Sequence, residues 1–178
     1  MEEKNKNIVK DILSYVLIIL VVVTIRVFIF DPVRVDGPSM NNTLVDGEVV
    51  ILNKLQYRKT DIKRYDIVVV KVEGKKIIKR VIGLPGETIE IKNNKVYANG
   101  VELDNSFTSS VTADFTKEEF EKTVGFKKLQ AEQYFILGDN RDVSLDSRYS
   151  EVGAVTKDQI VGKAAIIVWP INKIRIIK

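Results

Sequence analysis

The chain has 178 residues, 45% of them apolar and 29% charged, with a formal net charge of +4. That gives room for one compact domain with a short appendage, its charges spread along the chain as on a solvated surface. Cysteine and histidine are both absent, which excludes disulfides, thiol nucleophiles, histidine triads and ordinary zinc sites, leaving only weak carboxylate sites for a metal.

Residues 1–11 are charged and polar, with Lys4, Lys6 and Lys10 against Glu2, Glu3 and Asp11. Residues 12–30 are a nearly unbroken apolar run, interrupted by Ser14, Tyr15, Thr24 and Arg26. As a helix this run spans roughly 28 Å, about the hydrocarbon thickness of a bilayer. Arg26 lies one turn from its end, where a long side chain snorkels to the interface. A buried soluble helix is rarely apolar on every face. A cleaved signal peptide needs small residues after its apolar core, and Val27-Phe28-Ile29-Phe30-Asp31-Pro32 has none. The expected element is an uncleaved single-span anchor. Three lysines ahead of it lean towards an N-terminus inside and a domain of residues 31–178 outside.

Beyond Asp31 the apolar period switches towards two. Val33 and Val35 alternate with Arg34 and Asp36, an extended segment that Gly37-Pro38 turns, with Ser39-Met40 on the turn. Residues 48–52, 66–72 and 75–82 read as β-branched strands, the last ended by Gly83-Leu84-Pro85-Gly86. Residues 89–91, 96–98 and 101–103 form a three-stranded meander, because Asn93-Asn94 and Asn99-Gly100 tolerate the positive φ of tight hairpin turns. Residues 104–131 are polar and aperiodic, a surface excursion in which Thr116-Lys117-Glu118-Glu119 has the spacing of a capping box. Residues 134–137 return as a strand, 156–159 as a turn of helix, and 164–169 as a last buried strand. Strands dominate without strand–helix alternation, so the expected fold is mainly antiparallel β with short helices behind one N-terminal helix.

Three stretches carry chemistry. A serine such as Ser39 is a poor nucleophile until a base takes its proton, and without histidine that base is a lysine or a carboxylate. Lys79 sits in the strand Ile77-Ile78-Lys79-Arg80-Val81-Ile82, both faces of which are otherwise apolar. Desolvation there lowers a lysine pKa, whereas an arginine stays protonated. The third stretch, residues 138–148, is dense in charge and short hydroxyls. It can fold on itself through carboxylate–arginine bonds such as Asp146 with Arg141 or Arg148. Its spacing is not that of an EF-hand.

In order along the chain, an apolar span is followed by Gly37-Pro38-Ser39-Met40-Asn41-Asn42-Thr43-Leu44 and by Arg64-Tyr65-Asp66-Ile67-Val68-Val69. Then come Lys79-Arg80-Val81-Ile82-Gly83-Leu84-Pro85-Gly86 and Gly138-Asp139-Asn140-Arg141 leading to Ser144, Asp146, Ser147 and Arg148. Together these resemble bacterial type I signal peptidases, the membrane-anchored serine–lysine proteases of family S26, and the short 104–131 excursion and single span resemble their compact Gram-positive form. The resemblance implies a signal-peptidase-like β fold and a Ser39 nucleophile with Lys79 as general base. It further implies Ser144 as the hydroxyl orienting the lysine amine, and Asp139, Arg141, Asp146 and Arg148 as the loop framework. Met40 is similar to the residue beside the nucleophile that packs near the substrate pocket. The implied partners are signal peptides of exported preproteins, the lipid bilayer and, by proximity, the secretion translocase. The implied location is the bacterial cytoplasmic membrane. Neither metal nor organic cofactor is expected.

Two positions depart from the family. Where family members can carry a serine donating to the oxyanion, this chain has Gly37, and Pro38 has no N–H, so the oxyanion is expected to rest on the Ser39 backbone N–H. Tyr65 stands where the family often has glycine. A self-cleaving repressor-type protease also pairs serine with lysine, but it needs an Ala-Gly or Cys-Gly bond upstream of the serine, and the first alanine here is Ala98. A nucleic-acid-binding barrel needs interleaved aromatics on a basic face, and aromatics are 8% and scattered. The non-enzymatic alternative is an anchored β domain that binds partners after losing its dyad.

Overall fold

A computed structural model of the chain describes residues 2–177; the side chains of residues 2–6, 8, 9 and 25–28 lie outside that description. Helix α1 (Glu2–Phe28) begins well before the apolar run expected to form it. Its apolar side chains between Ile12 and Val23 are 47% to 67% exposed, with no face turned to the rest of the protein. Among the described residues no helix is long and apolar enough to cross a membrane. The span expected at 12–30 includes residues 25–28, whose side chains lie outside the description.

After α1 come β1 (Phe30–Arg34), β2 (Val49–Asn53), a single turn α2 (Gln56–Lys59), β3 (Ile67–Val72) and β4 (Lys75–Gly83). The meander is β5 (Ile89–Lys92), β6 (Lys95–Ala98) and β7 (Val101–Glu102), followed by α3 (Lys117–Val124). The chain closes with β8 (Gln133–Leu137), β9 (Val155–Thr156), β10 (Ile160–Trp169) and β11 (Arg175–Ile176). α2, β9 and β11 were not expected, since two to four residues are too few to show a period. One antiparallel sheet runs in the order β1-β2-β10-β3-β4-β8-β9, with β11 on β10, and the meander forms a separate three-stranded sheet.

The apolar run in β3 has a direct cause. Ile67 and Val69 pack with Val50, Leu52, Ala164 and Ile167 on one face, while Val68 and Val70 pack with Val81, Ile136, Val155 and Ile160 on the other. Both faces are covered, so no polar alternation survives. In the meander, Asn93, Asn94 and Asn99 all have positive φ, as the tight turns demand. Its inner face, Ile89, Ile91, Val96 and Ala98, packs against Phe115, Phe120, Leu129 and Phe135.

That packing corrects one expectation. Residues 104–131 are not merely a surface excursion, because Phe115, Phe120 and Leu129 are core residues and Thr112 is buried. The segment looked polar because its apolar residues are too widely spaced to show a period. Its capping box forms as expected: Thr116 Oγ1 accepts from the Glu119 N–H, and the Glu119 carboxylate accepts from the Thr116 N–H.

The feature that positions the site is the partial pairing of β4. β3 pairs with it from Lys75 to Arg80, whereas β8 pairs with it only at Arg80, Val81 and Gly83. The other edge of residues 75–79 is therefore open among the described strands. Phe120, fully buried with its ring 5.7 Å from that of Phe135, tests whether the 104–131 segment is structural. Phe120→Ala should lower unfolding free energy by about 3–5 kcal/mol, and Thr116→Ala by about 1 kcal/mol through loss of its cap. Denaturant unfolding of the detergent-solubilised chain measures both.

Candidate active site

Ser39 follows a turn made by Gly37 and Pro38. Gly37 has φ +82, a conformation that strains any side chain, and its N–H donates to Asp46 Oδ1 at 2.9 Å. Helical turning then begins, with the Leu44 N–H donating to the Met40 carbonyl at 2.8 Å. Met40 is 1% exposed, anchored among Val35, Leu44, Val50 and Ile78. One side of the serine turn is thus fixed in the core.

Lys79 arrives from β4. It is 4% exposed, and its Nζ lies 2.7 Å from Ser39 Oγ and 3.1 Å from the Ile78 carbonyl oxygen. Desolvation lowers its pKa from the ordinary 10.5 to about 8, against the opposing pull of Asp146 and Asp139. The expectation of a desolvated basic group in this strand holds for both candidates, because Arg80 is also 4% exposed.

Arg80 finds a carboxylate. Its Nε donates to Asp139 Oδ1 at 2.8 Å and its Nη2 to Asp139 Oδ2 at 2.6 Å, a two-point pair inside the protein. Thr43 Oγ1 donates to the same carboxylate at 2.5 Å, Arg80 Nη1 reaches the Tyr65 carbonyl at 3.0 Å, and the Arg80 guanidinium lies 4.4 Å from the Phe107 ring centre. Within the loop, Asp146 accepts from Arg148 Nε at 2.8 Å and Nη2 at 3.0 Å, and from the Gly138 N–H at 3.1 Å. Of the two partners considered for Asp146, Arg148 is therefore the one. Arg141 instead donates to neutral acceptors, the Gly138 carbonyl, Thr112 Oγ1 and Asn105 Oδ1. Burial without a bonded carboxylate pushes its pKa down to about 10.

Ser144 is buried in the same loop. Among the described residues its Oγ is buried without a hydrogen-bond partner, and no bond joins it to Lys79. It sits against Gly138, whose α-carbon is so crowded that an added Cβ would lie 2.2 Å from Ser144 Oγ and 2.6 Å from the Ser39 carbonyl oxygen. Only glycine lets the loop approach Ser39 this closely.

Tyr65 now has an account. Its φ is +71, the left-handed conformation that favours glycine, and its ring packs 5.6 Å from Phe107. The residues that sequence reading passed over are Arg80 as the partner of Asp139, with Thr43, Asn105, Phe107, Thr112 and Asn140. Arg80 had a signal, a cation in a strand apolar on both faces, and Thr43 and Asn140 lie within the stretches that carry the family resemblance. The others depend on tertiary contacts.

Between residues 33–36 and 75–79 opens a cleft of 370 Å³, with Ser39 and Lys79 on its wall and Met40 contributing to its lining. A larger recess, near Lys54, Tyr57 and Lys157, contains neither member of the pair. The arrangement is a serine with a desolvated lysine at the open edge of a sheet, a construction suited to cutting an extended chain.

Comparison with known proteins agrees. The family described as signal peptidase, peptidase S26, matches residues 8–169. The chain is 36% identical over 98% of its length to signal peptidase I P of Bacillus subtilis subsp. natto, covering 96% of that protein. It is 39% identical over 87% of its length to signal peptidase I of Bacillus caldolyticus, covering 88% of it. A crystal structure of a signal peptidase I from Enterococcus faecalis aligns with TM-score 0.51 and 33% identity, covering 58% of this chain and 97% of the other. The chain belongs to the signal peptidase family, peptidase S26. It is accordingly a hydrolase, a serine endopeptidase of the signal peptidase I type.

The depressed lysine pKa has a consequence for stability. Folded Lys79 releases its proton near 8 and the unfolded residue near 10.5. Between these values the unfolded state binds more protons, so stability rises with pH there. Lys79→Met removes that dependence. Its stability advantage over wild type should shrink by about 2 kcal/mol between pH 7 and pH 9.5. Denaturant unfolding at the two pH values checks this; an unchanged gap would mean that Lys79 titrates as it does in water.

Proposed function

We propose that the chain is a membrane-anchored serine endopeptidase that removes N-terminal signal peptides from exported preproteins, with Ser39 as nucleophile and Lys79 as general base. The observation that carries this reading is the 2.7 Å approach of a buried lysine amine to a serine hydroxyl in a chain without histidine. Burial keeps a useful fraction of the amine neutral near pH 8, which a base requires. Residues 12–30 anchor the chain, with residues 1–11 cytoplasmic and 31–178 outside. Exposed apolar side chains on every face of α1 support that anchor, because a soluble helix turns one such face inward.

A substrate segment enters the cleft extended. The open edge of residues 75–79 and the outer edge of β1, which among the described strands pairs only with β2, offer main-chain donors and acceptors that set its register. Membership of the signal peptidase family implies a preference for small side chains, typically alanine at the first and third positions before the cut. Neutral Lys79 takes the Ser39 proton as Oγ attacks the scissile carbonyl carbon. The resulting oxyanion is held by the Ser39 N–H, a group with no acceptor among the described residues. Collapse breaks the C–N bond, the Lys79 ammonium protonates the leaving amine, and an acyl-enzyme remains. Lys79 then takes a proton from water, whose attack releases the signal peptide and regenerates Ser39. Ser144, with its unclaimed hydroxyl, is the candidate acceptor for the amine's remaining hydrogen. Asp139, Arg141, Asp146 and Arg148 hold the loop that brings it there.

The test uses detergent-solubilised chain and preproteins bearing an Ala-x-Ala cleavage site, with products mapped by mass. Wild type should cut after the last alanine, and Ser39→Ala, Lys79→Ala and Lys79→Arg should each lose at least about 10³-fold in rate. Activity retained in Lys79→Arg would overturn the neutral-lysine mechanism, since arginine cannot serve as that base. Failure of folded wild type on several preproteins would point to an anchored binding domain.

A further inference from the structure

Asn140 touches the nucleophile's main chain twice. Its backbone N–H donates to the Ser39 carbonyl at 3.0 Å, and its side-chain Nδ2 donates to the Pro38 carbonyl at 3.2 Å. The Pro38 carbonyl also accepts from the Asn41 N–H at 3.0 Å. The Asn140 amide is itself oriented from the other side, because Ser110 Oγ donates to its Oδ1 at 3.0 Å.

The Pro38 carbonyl and the Ser39 N–H belong to one planar, trans peptide unit. They point in opposite directions, so whatever fixes the carbonyl also aims the N–H. Two donors hold that carbonyl, while the Ser39 N–H has no acceptor among the described residues. The position two residues earlier is Gly37, which has no hydroxyl to share the duty. Aim therefore matters most at this one peptide.

We propose that Asn140, steadied by Ser110, is a positioning residue that aims the Ser39 N–H at the oxyanion. This rests on the reading of Ser39 as nucleophile. It assigns a role to two residues outside the dyad and the loop's charged framework, and it makes the 104–131 segment part of the catalytic support. Ser109 strengthens the same brace: Asn42 Nδ2, just past the nucleophile, donates to Ser109 Oγ at 3.1 Å.

The oxyanion exists only in the transition state, so misaiming its donor lowers kcat and leaves KM nearly unchanged. Losing an oxyanion donor outright costs about 10²–10³-fold, and misaiming one costs less. The experiment measures kcat and KM of the detergent-solubilised full chain on an Ala-x-Ala peptide, for wild type, Asn140→Asp, Asn140→Ala, Ser110→Ala and the double alanine variant. Thermal unfolding and the pH–rate profile accompany each.

Asn140→Ala removes the donor without adding a charge, so its kcat should fall about tenfold or more, with KM within twofold and the rising limb of the pH profile unmoved. The added carboxylate of Asn140→Asp should also move that limb to higher pH. Ser110→Ala should lose about two- to fivefold in kcat. The double variant should be no worse than Asn140→Ala, because Ser110 acts through Asn140. A kcat within twofold of wild type in folded Asn140→Ala would overturn the proposal. So would losses in the double variant that multiply, or that appear in KM. Should both Asn140 variants fail to fold, Ser110→Ala decides: wild-type kcat there overturns the assignment. Ser39→Ala, run alongside, separates failure of this inference from failure of the nucleophile assignment, since retained activity in that variant would remove the basis of both.

Discussion

The proposed active centre depends on one lysine being kept from water and from a counter-ion. Two buried carboxylates, Asp139 and Asp146, lie close enough to pull the Lys79 pKa upward. Had either been unpaired, the lysine would hold its proton tightly and serve as an ion-pair partner. Each is instead taken by an arginine, Asp139 by Arg80 and Asp146 by Arg148, and by further donors from Thr43 and the Gly138 N–H. Their charges are largely answered before the lysine feels them. Desolvation then wins, and the amine titrates near 8. In the proposed mechanism the arginines thus support catalysis by occupying the acids.

That balance needs several segments at one point. The serine turn is anchored through Met40 in the core. The lysine comes from β4 at the place where β8 pairing begins, the loop after β8 reaches Ser39 through Gly138, and the 104–131 segment closes over the loop. In that segment Asn105 and Thr112 hold Arg141, Phe107 lies against Arg80, and Ser109 and Ser110 reach Asn42 and Asn140. A stretch without secondary-structure period is thereby the brace of the site. Tyr65 joins it by setting its ring on Phe107 at the cost of a left-handed backbone, which runs about 1–3 kcal/mol in strain for a residue with a side chain.

Much of this was legible in the sequence where physics is local. Alternation and β-branching marked β1 to β4, the asparagine turns marked the meander, and Thr116 with Glu119 marked the cap of α3. Serine and lysine stood out because histidine was missing. What could not be read is what depends on distant partners. The sequence says that Asp146 needs an arginine but does not choose between Arg141 and Arg148, which differ only in where the folded loop points them. Nor does it say that Asp139 belongs to Arg80, 59 positions away. The hydroxyl of Ser144, expected on the lysine amine, is unclaimed, and only packing at Gly138 explains its place.

The most direct measurement is the titration of the Lys79 amine itself. Protein carrying ¹⁵N-labelled lysine, with Lys79→Arg to assign the resonance, can be followed by NMR from pH 6 to 11 in detergent. A Lys79 nitrogen titrating near 8, well below the remaining lysines, is the predicted result. A Lys79 nitrogen titrating with them near 10.5 would contradict the account, because the amine beside Ser39 would then be a charged partner rather than a base.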